Sequence, residues 1–216
     1  MIKNLNFVIK EFYKNNGYLT TKQMVELGIK SWHVQKLIGN GIIERVKRGI
    51  YRLCNFDFDM EQEEICVMKM VPKGIFCLMS ALALHGLTTY IPNEYQLAID
   101  RRYKVRIPDY PPVKVFYFNE DNYRLGIEKK VINGQVIKVY NMEKTLCDCI
   151  RYRNKLDKNI ISEAFKEYLR RSDRDLNLLM RYSQQCKVDK IIKIYMEVLI
   201  WVMMKIILEI INVKIL

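Results

Sequence analysis

Ser31, Trp32, His33, Gln35 and Lys36 fall within one short stretch, and Arg45, Lys47, Arg48 and Arg52 follow closely. Hydrogen-bonding groups of the first set suit base edges: Gln pairs with adenine, and Lys with guanine, in a major groove. Cations of the second set suit phosphates, which position a protein without reading sequence. The surrounding residues place both sets. Thr20 stands three residues before Gln23, the spacing of a capping box that starts a helix. Met24, Val25 and Leu27 give that helix an apolar face, and Gly28 stops it. Ser31 is positioned to cap a second helix in which Val34, Leu37 and Ile38 recur at helical spacing. Asn40-Gly41 ends it. Two apolar runs, 42–46 and 50–53, are joined by Lys47-Arg48-Gly49. The pattern predicts a winged helix-turn-helix, with the second helix in the groove and the basic hairpin on the backbone.

On that second helix Val34, Leu37 and Ile38 define the inner side, so His33 is expected outside. Trp32 suits the groove and the core equally. Arg45, Lys47, Arg48 and Arg52 are expected to contact phosphate rather than bases.

Charge supports a polyanionic partner. Ten Lys/Arg against three Asp/Glu give residues 1–56 a balance of +7, leaving +5 for the other 160 residues. The six cysteines form no CxxC pair and stand apart from His33 and His85, so a zinc site is not expected. Apolar neighbours around Cys77 suggest buried free thiols in a reducing cytoplasm. The opening MIKNLNFVIKEF lacks the apolar core and cleavage site of a signal peptide.

The rest of the chain predicts an α+β architecture. Residues 2–15 read as a first helix behind the helix-turn-helix, and 61–70 as another. Pro72-Lys73-Gly74 breaks the latter. Residues 75–86 contain a small-residue helix. Strands are expected at 94–99, 113–118 and 126–132, and Asn133-Gly134 turns the last into a return strand at 135–140. Asn141 is positioned to cap a helix to Arg153, without a capping box because Lys144 occupies the third position. Three further helices follow, at 158–171, 174–185 and from 188 onward. The expectation is a winged domain over 1–56, an α+β domain over 57–199 with a small, mostly antiparallel sheet and a C-terminal helical bundle, and an apolar tail over 200–216. Lys205 and Glu209 interrupt that tail at i, i+4, which argues for an amphipathic helix rather than a membrane span. It is expected to pack on the C-terminal helices or to pair with a second copy, giving a homo-oligomer.

Three stretches together resemble the AbiEi antitoxin family. They are Glu44 to Tyr51 (ERVKRGIY), Ser80-Ala81-Leu82 with His85-Gly86-Leu87, and Tyr140 to Asp148 (YNMEKTLCD) with Arg151-Tyr152-Arg153. The resemblance runs from about Asn4 to Leu199, where family members tend to end. It implies an antitoxin from a bacterial abortive-infection toxin–antitoxin operon. The winged domain would repress the operon by binding operator DNA, and the C-terminal domain would confer antitoxicity. The implied toxin is nucleotidyltransferase-like. Members are grouped as type IV, in which the antitoxin need not touch the toxin, so direct contact stays open.

Two other readings stand beside it. Pro108-Asp109 with Glu128-Lys129-Lys130 matches the PD…ExK pattern of metal-dependent nucleases, in which carboxylates hold a divalent ion and a lysine attends the attacking water. Asp109 lies among prolines, however, which does not suit a strand end. The third reading is a pure interaction module that binds its toxin directly. Ser80 and His85 lack an acidic partner for a triad, and no glycine-rich phosphate loop occurs. No catalytic, cofactor-binding or metal-binding residue is therefore assigned. Arg151, Arg153, Lys155, Lys166, Arg170, Arg171, Arg174 and Arg181 make the late helices basic, as a solvated face or as a contact for nucleic acid or an acidic surface.

Overall fold

Val8 and Phe12 stand one helical turn apart, and their burial accompanies a helix over Leu5–Lys14 (α1). The chain continues through β1 (Tyr18–Thr20), α2 (Thr21–Glu26), α3 (Ser31–Gly39), β2 (Ile43–Lys47), β3 (Ile50–Leu53) and α4 (Met60–Met70). The computed structural model describes residues 5–56, 60–107 and 110–213, with the backbone alone for 60–62 and 202–213. It divides into two units. The first is Met1–Gly74 with Lys104–Lys114 and Lys129–Ile137; the second is Ile75–Tyr103 with Val115–Glu128 and Lys138–Leu216.

In the first unit the expected capping box is present. The Thr20 hydroxyl accepts from Gln23 N, and the Gln23 carboxamide accepts from Thr20 N at 2.8 Å. Gly28, at φ +72°, then turns the chain in a conformation that disfavours a Cβ. The next helix starts differently from the expectation. Lys30, extended at ψ 154°, is the N-cap and supplies no side-chain bond, so Ser31 is already helical and caps nothing. The strands pair antiparallel in the order β1-β3-β2. The β2–β3 ladder shifts register between Arg45 and Lys47, an irregularity that bends a hairpin. Val8, Phe12, Leu19, Met24, Val34 and Leu37 join one apolar core. On α4, burial pushes the Cys66 thiol up to about 12.

The chain goes on through β4 (Ile75–Phe76), α5 (Leu78–Leu84), β5 (Tyr95–Asp100), β6 (Val113–Phe118), α6 (Glu120–Arg124), β7 (Ile127–Ile132) and β8 (Gln135–Tyr140), of which residues 113–114, 129–132 and 135–137 belong to the first unit and the rest to the second. The sheet runs β6-β5-β4-β8-β7. It is a mixed sheet: β4 pairs antiparallel with β5 but parallel with β8, through Phe76 and Val139. Two residues are too few for period-2 patterning to reveal β4, and its neighbour β8 arrives only after three intervening strands. Leu78 at φ +48° makes the sharp step from β4 into α5. Gln96 secures that step by accepting from Cys77 N and Met79 N, while its own N–H donates to Ser80 Oγ at 2.8 Å.

Asn141 caps α7 (Met142–Arg151) as expected, accepting from Lys144 N. Every residue from Glu143 to Ile150 is buried, because α7 packs against α5, α8 (Lys158–Arg170), α9 (Leu176–Gln185) and α10 (Asp189–Val213). Leu146, Ile150, Phe165, Leu179 and Ile192 share its core. Along α10, Ile192, Met196 and Leu199 face inward, whereas Ile194, Val198 and Trp201 are exposed. The expectation for tail packing falls, beyond Trp201, outside the described side chains. Cys66, Cys77, Cys147, Cys149 and Cys186 are buried free thiols, and Cys54 is an exposed one. No helix among the described residues is long and apolar enough to cross a membrane.

Candidate nucleic-acid interface

The side chains of α3 divide sharply. Val34 and Leu37 are buried and hold the helix on the core, while Ser31, Trp32, Gln35 and Lys36 are exposed. Trp32 is 51% exposed, so it is not a core residue. His33 is the correction. It was expected outside but is only 9% exposed. One helical turn separates it from Leu37, so the two side chains project from the same side. Its ring stacks on Trp32 at 3.5 Å between centroids, and its Nε2 is buried without a hydrogen-bond partner among the described residues. His33 therefore stiffens the base of Trp32 and presents no edge outward. Ser31 and Gln35 border a small cavity of about 100 Å³, whose walls include Met24, Val25 and Ile29.

The hairpin cations also divide. Arg45 and Arg48 are exposed. Arg48 lies beside Gly49, at φ +84°, whose carbonyl accepts from Thr21 N at 2.8 Å and so ties the turn to the start of α2. Lys47 points elsewhere. Its Nζ donates to the carbonyls of Met70 at 2.9 Å and Arg106 at 2.7 Å. Burial, and then the Arg106 charge, hold its pKa below the ordinary lysine value. Arg52 donates through Nε to Glu44 at 2.6 Å, and its guanidinium lies over the Tyr110 ring, 5.1 Å from the centroid. Lys47 and Arg52 are thus held within the unit, and Arg45 and Arg48 are the cations presented outward.

Asp109 lies outside the described residues. Glu128 and Lys130 lie two apart on β7, and Glu128 borders a cavity of about 340 Å³ with His85, Glu143, Arg171 and Asp173. Within the late helices much of the basic surface has local partners: Arg170 with Glu167, Arg171 with Asp173, and Arg153 with the Ile150 carbonyl at 3.0 Å.

One constellation was missed from sequence. Lys144, 0% exposed, donates to both carboxylate oxygens of Asp148, at 2.5 and 2.6 Å. The Lys144 ammonium also lies over the rings of Tyr140 and Phe118, at 4.5 and 4.8 Å. Burial pushes the Asp148 carboxyl up, and the adjacent Lys144 charge opposes that shift. The i, i+4 spacing of Lys144 and Asp148 was the available signal. It could not show that the pair faces the core. The buried Glu143 carboxylate, next along α7, accepts from the Tyr168 hydroxyl at 2.9 Å and from Asp175 N.

No protein-family model matches this chain, and no curated protein matches it.

Proposed function

We propose that this chain is a DNA-binding regulator whose first unit acts as a winged helix-turn-helix. The observation that carries this reading is the α3 surface, where exposed Ser31, Trp32, Gln35 and Lys36 stand over an anchoring side of Val34 and Leu37. The order α1-β1-α2-α3-β2-β3, with its three-stranded antiparallel sheet, supports it. So does the +7 balance of residues 1–56. In this role α3 enters the major groove, where Gln35 and Lys36 contact base edges. Arg45 and Arg48 contact phosphates on either side of the groove. Lys47 and Arg52 instead hold the hairpin in shape.

The sequence resemblance to the AbiEi antitoxins extends the reading. The first unit represses the operon that encodes it, and the second, with its C-terminal helices as a bundle, counters a nucleotidyltransferase-like toxin. A gel-shift titration of the full chain against DNA from upstream of its own gene tests DNA recognition. Specific binding that survives non-specific competitor, and is lost in Gln35→Ala/Lys36→Ala, supports it. Equal binding to unrelated DNA by wild type and variant overturns it. Co-expression with the product of the neighbouring gene tests antitoxicity, and failure to relieve growth arrest overturns that part.

A further inference from the structure

The second unit contains a cavity of about 250 Å³, distinct from the α3 surface, whose walls include Arg101, Arg151, Asp148, Asn119, Tyr117 and Tyr152. Its charge is unbalanced. Asp148 is answered by Lys144 directly beneath it, which leaves the guanidinium groups of Arg101 and Arg151 as surplus cations. Neighbouring arginines show the contrast. Arg102 is paired with Asp100 and Glu120, and Arg124 with Glu120, whereas Arg101 and Arg151 are exposed and in no ion pair among the described residues. A planar guanidinium offers several donors in a fork that matches phosphate oxygens.

The other walls are aromatic. Tyr117 is 52% exposed, and Phe118 and Tyr152, also at the cavity, stack with centroids 5.9 Å apart and planes 12° apart. Flat apolar faces beside unpaired guanidinium groups are the combination that holds a base and its phosphate together. The Asp148 carboxylate, fixed by Lys144, adds an acceptor suited to an amino or hydroxyl group. The volume lies just under the usual range for small-molecule sites, which suits one nucleotide rather than a dinucleotide.

We propose that this cavity binds a nucleoside monophosphate unit, with the phosphate on Arg101 and Arg151 and the base against Tyr117. The unit comes either as a free mononucleotide or as the 5′-phosphorylated end of a single strand.

The test is calorimetric titration of the full chain with AMP, GMP, CMP and UMP, with inorganic phosphate, and with short oligonucleotides carrying a 5′-phosphate or a 5′-hydroxyl. Saturable binding near one equivalent is expected for at least one nucleotide, with inorganic phosphate weaker. Arg101→Ala and Arg151→Ala should each weaken it at least tenfold without lowering the melting temperature of the free protein, since both side chains lie at the surface. A 5′-phosphorylated strand that binds more tightly than the mononucleotide, while its 5′-hydroxyl counterpart does not bind, assigns the strand end; the reverse order assigns the free nucleotide. Absence of saturable binding by any of these probes overturns the proposal. So does binding that neither arginine substitution weakens.

Discussion

Replacing Lys144 by Met removes a charge from the core while nearly keeping its volume, so the loss can be read as the loss of Asp148's partner. Both side chains are at most 1% exposed, and the two oxygen contacts are 2.5 and 2.6 Å. Breaking a buried pair from one side costs about 3–5 kcal/mol, because the remaining charge stays desolvated. Lys144→Met should therefore lose about that much stability in urea unfolding at neutral pH. Lys144→Met/Asp148→Leu should recover most of it, since an apolar pair leaves no stranded charge.

The pH dependence provides a second check. Burial raises the Asp148 pKa in the folded state and Lys144 opposes the rise, so the Met variant should raise it further. A carboxyl with a raised folded pKa keeps its proton in the native state where the unfolded chain has lost it. Its contribution favours the fold in acid and declines as pH climbs from the unfolded carboxylate value through the folded one. The deficit of Lys144→Met relative to wild type should thus widen as pH rises above the ordinary carboxylate value of about 4. A deficit below about 1 kcal/mol, one that is flat with pH, or a double variant no better than the single would each refute the account.

Gly126→Ala places a Cβ 2.6 Å from Lys144 Cβ and 2.8 Å from Asn141 Oδ1, at a φ of +68°, and should cost about 2–4 kcal/mol, read as a lowered melting temperature. Thr20→Ala removes the capping hydroxyl of α2 and should cost about 1 kcal/mol in urea unfolding, with Thr20→Ser retaining most of it. In a titration of DNA affinity against salt, Arg48→Ala should reduce the log–log slope by about one. Lys47→Ala should leave that slope nearly unchanged and instead lower stability, because its Nζ serves the Met70 and Arg106 carbonyls.

Sequence by itself determined the elements that local chemistry governs. The Thr20–Gln23 box, Gly28 after α2, Asn141 before α7, and the β7–β8 hairpin around Asn133-Gly134 all follow from contacts within a few residues, and all were legible. The apolar period of α3 likewise revealed its buried Val34 and Leu37. Only the tertiary structure decided which polar side chains the fold would keep for itself. Lys47 and Arg48 are adjacent and look alike in sequence, yet Lys47 meets carbonyls far along the chain, at Met70 and Arg106, while Arg48 faces outward. His33 went inside because the Leu37 side of α3 is wider than three apolar residues suggested. Lys144 and Asp148 would pass for a surface i, i+4 pair until four helices pack around α7 and bury both side chains. Burial is set by what packs against a residue, and those partners lie far away in sequence.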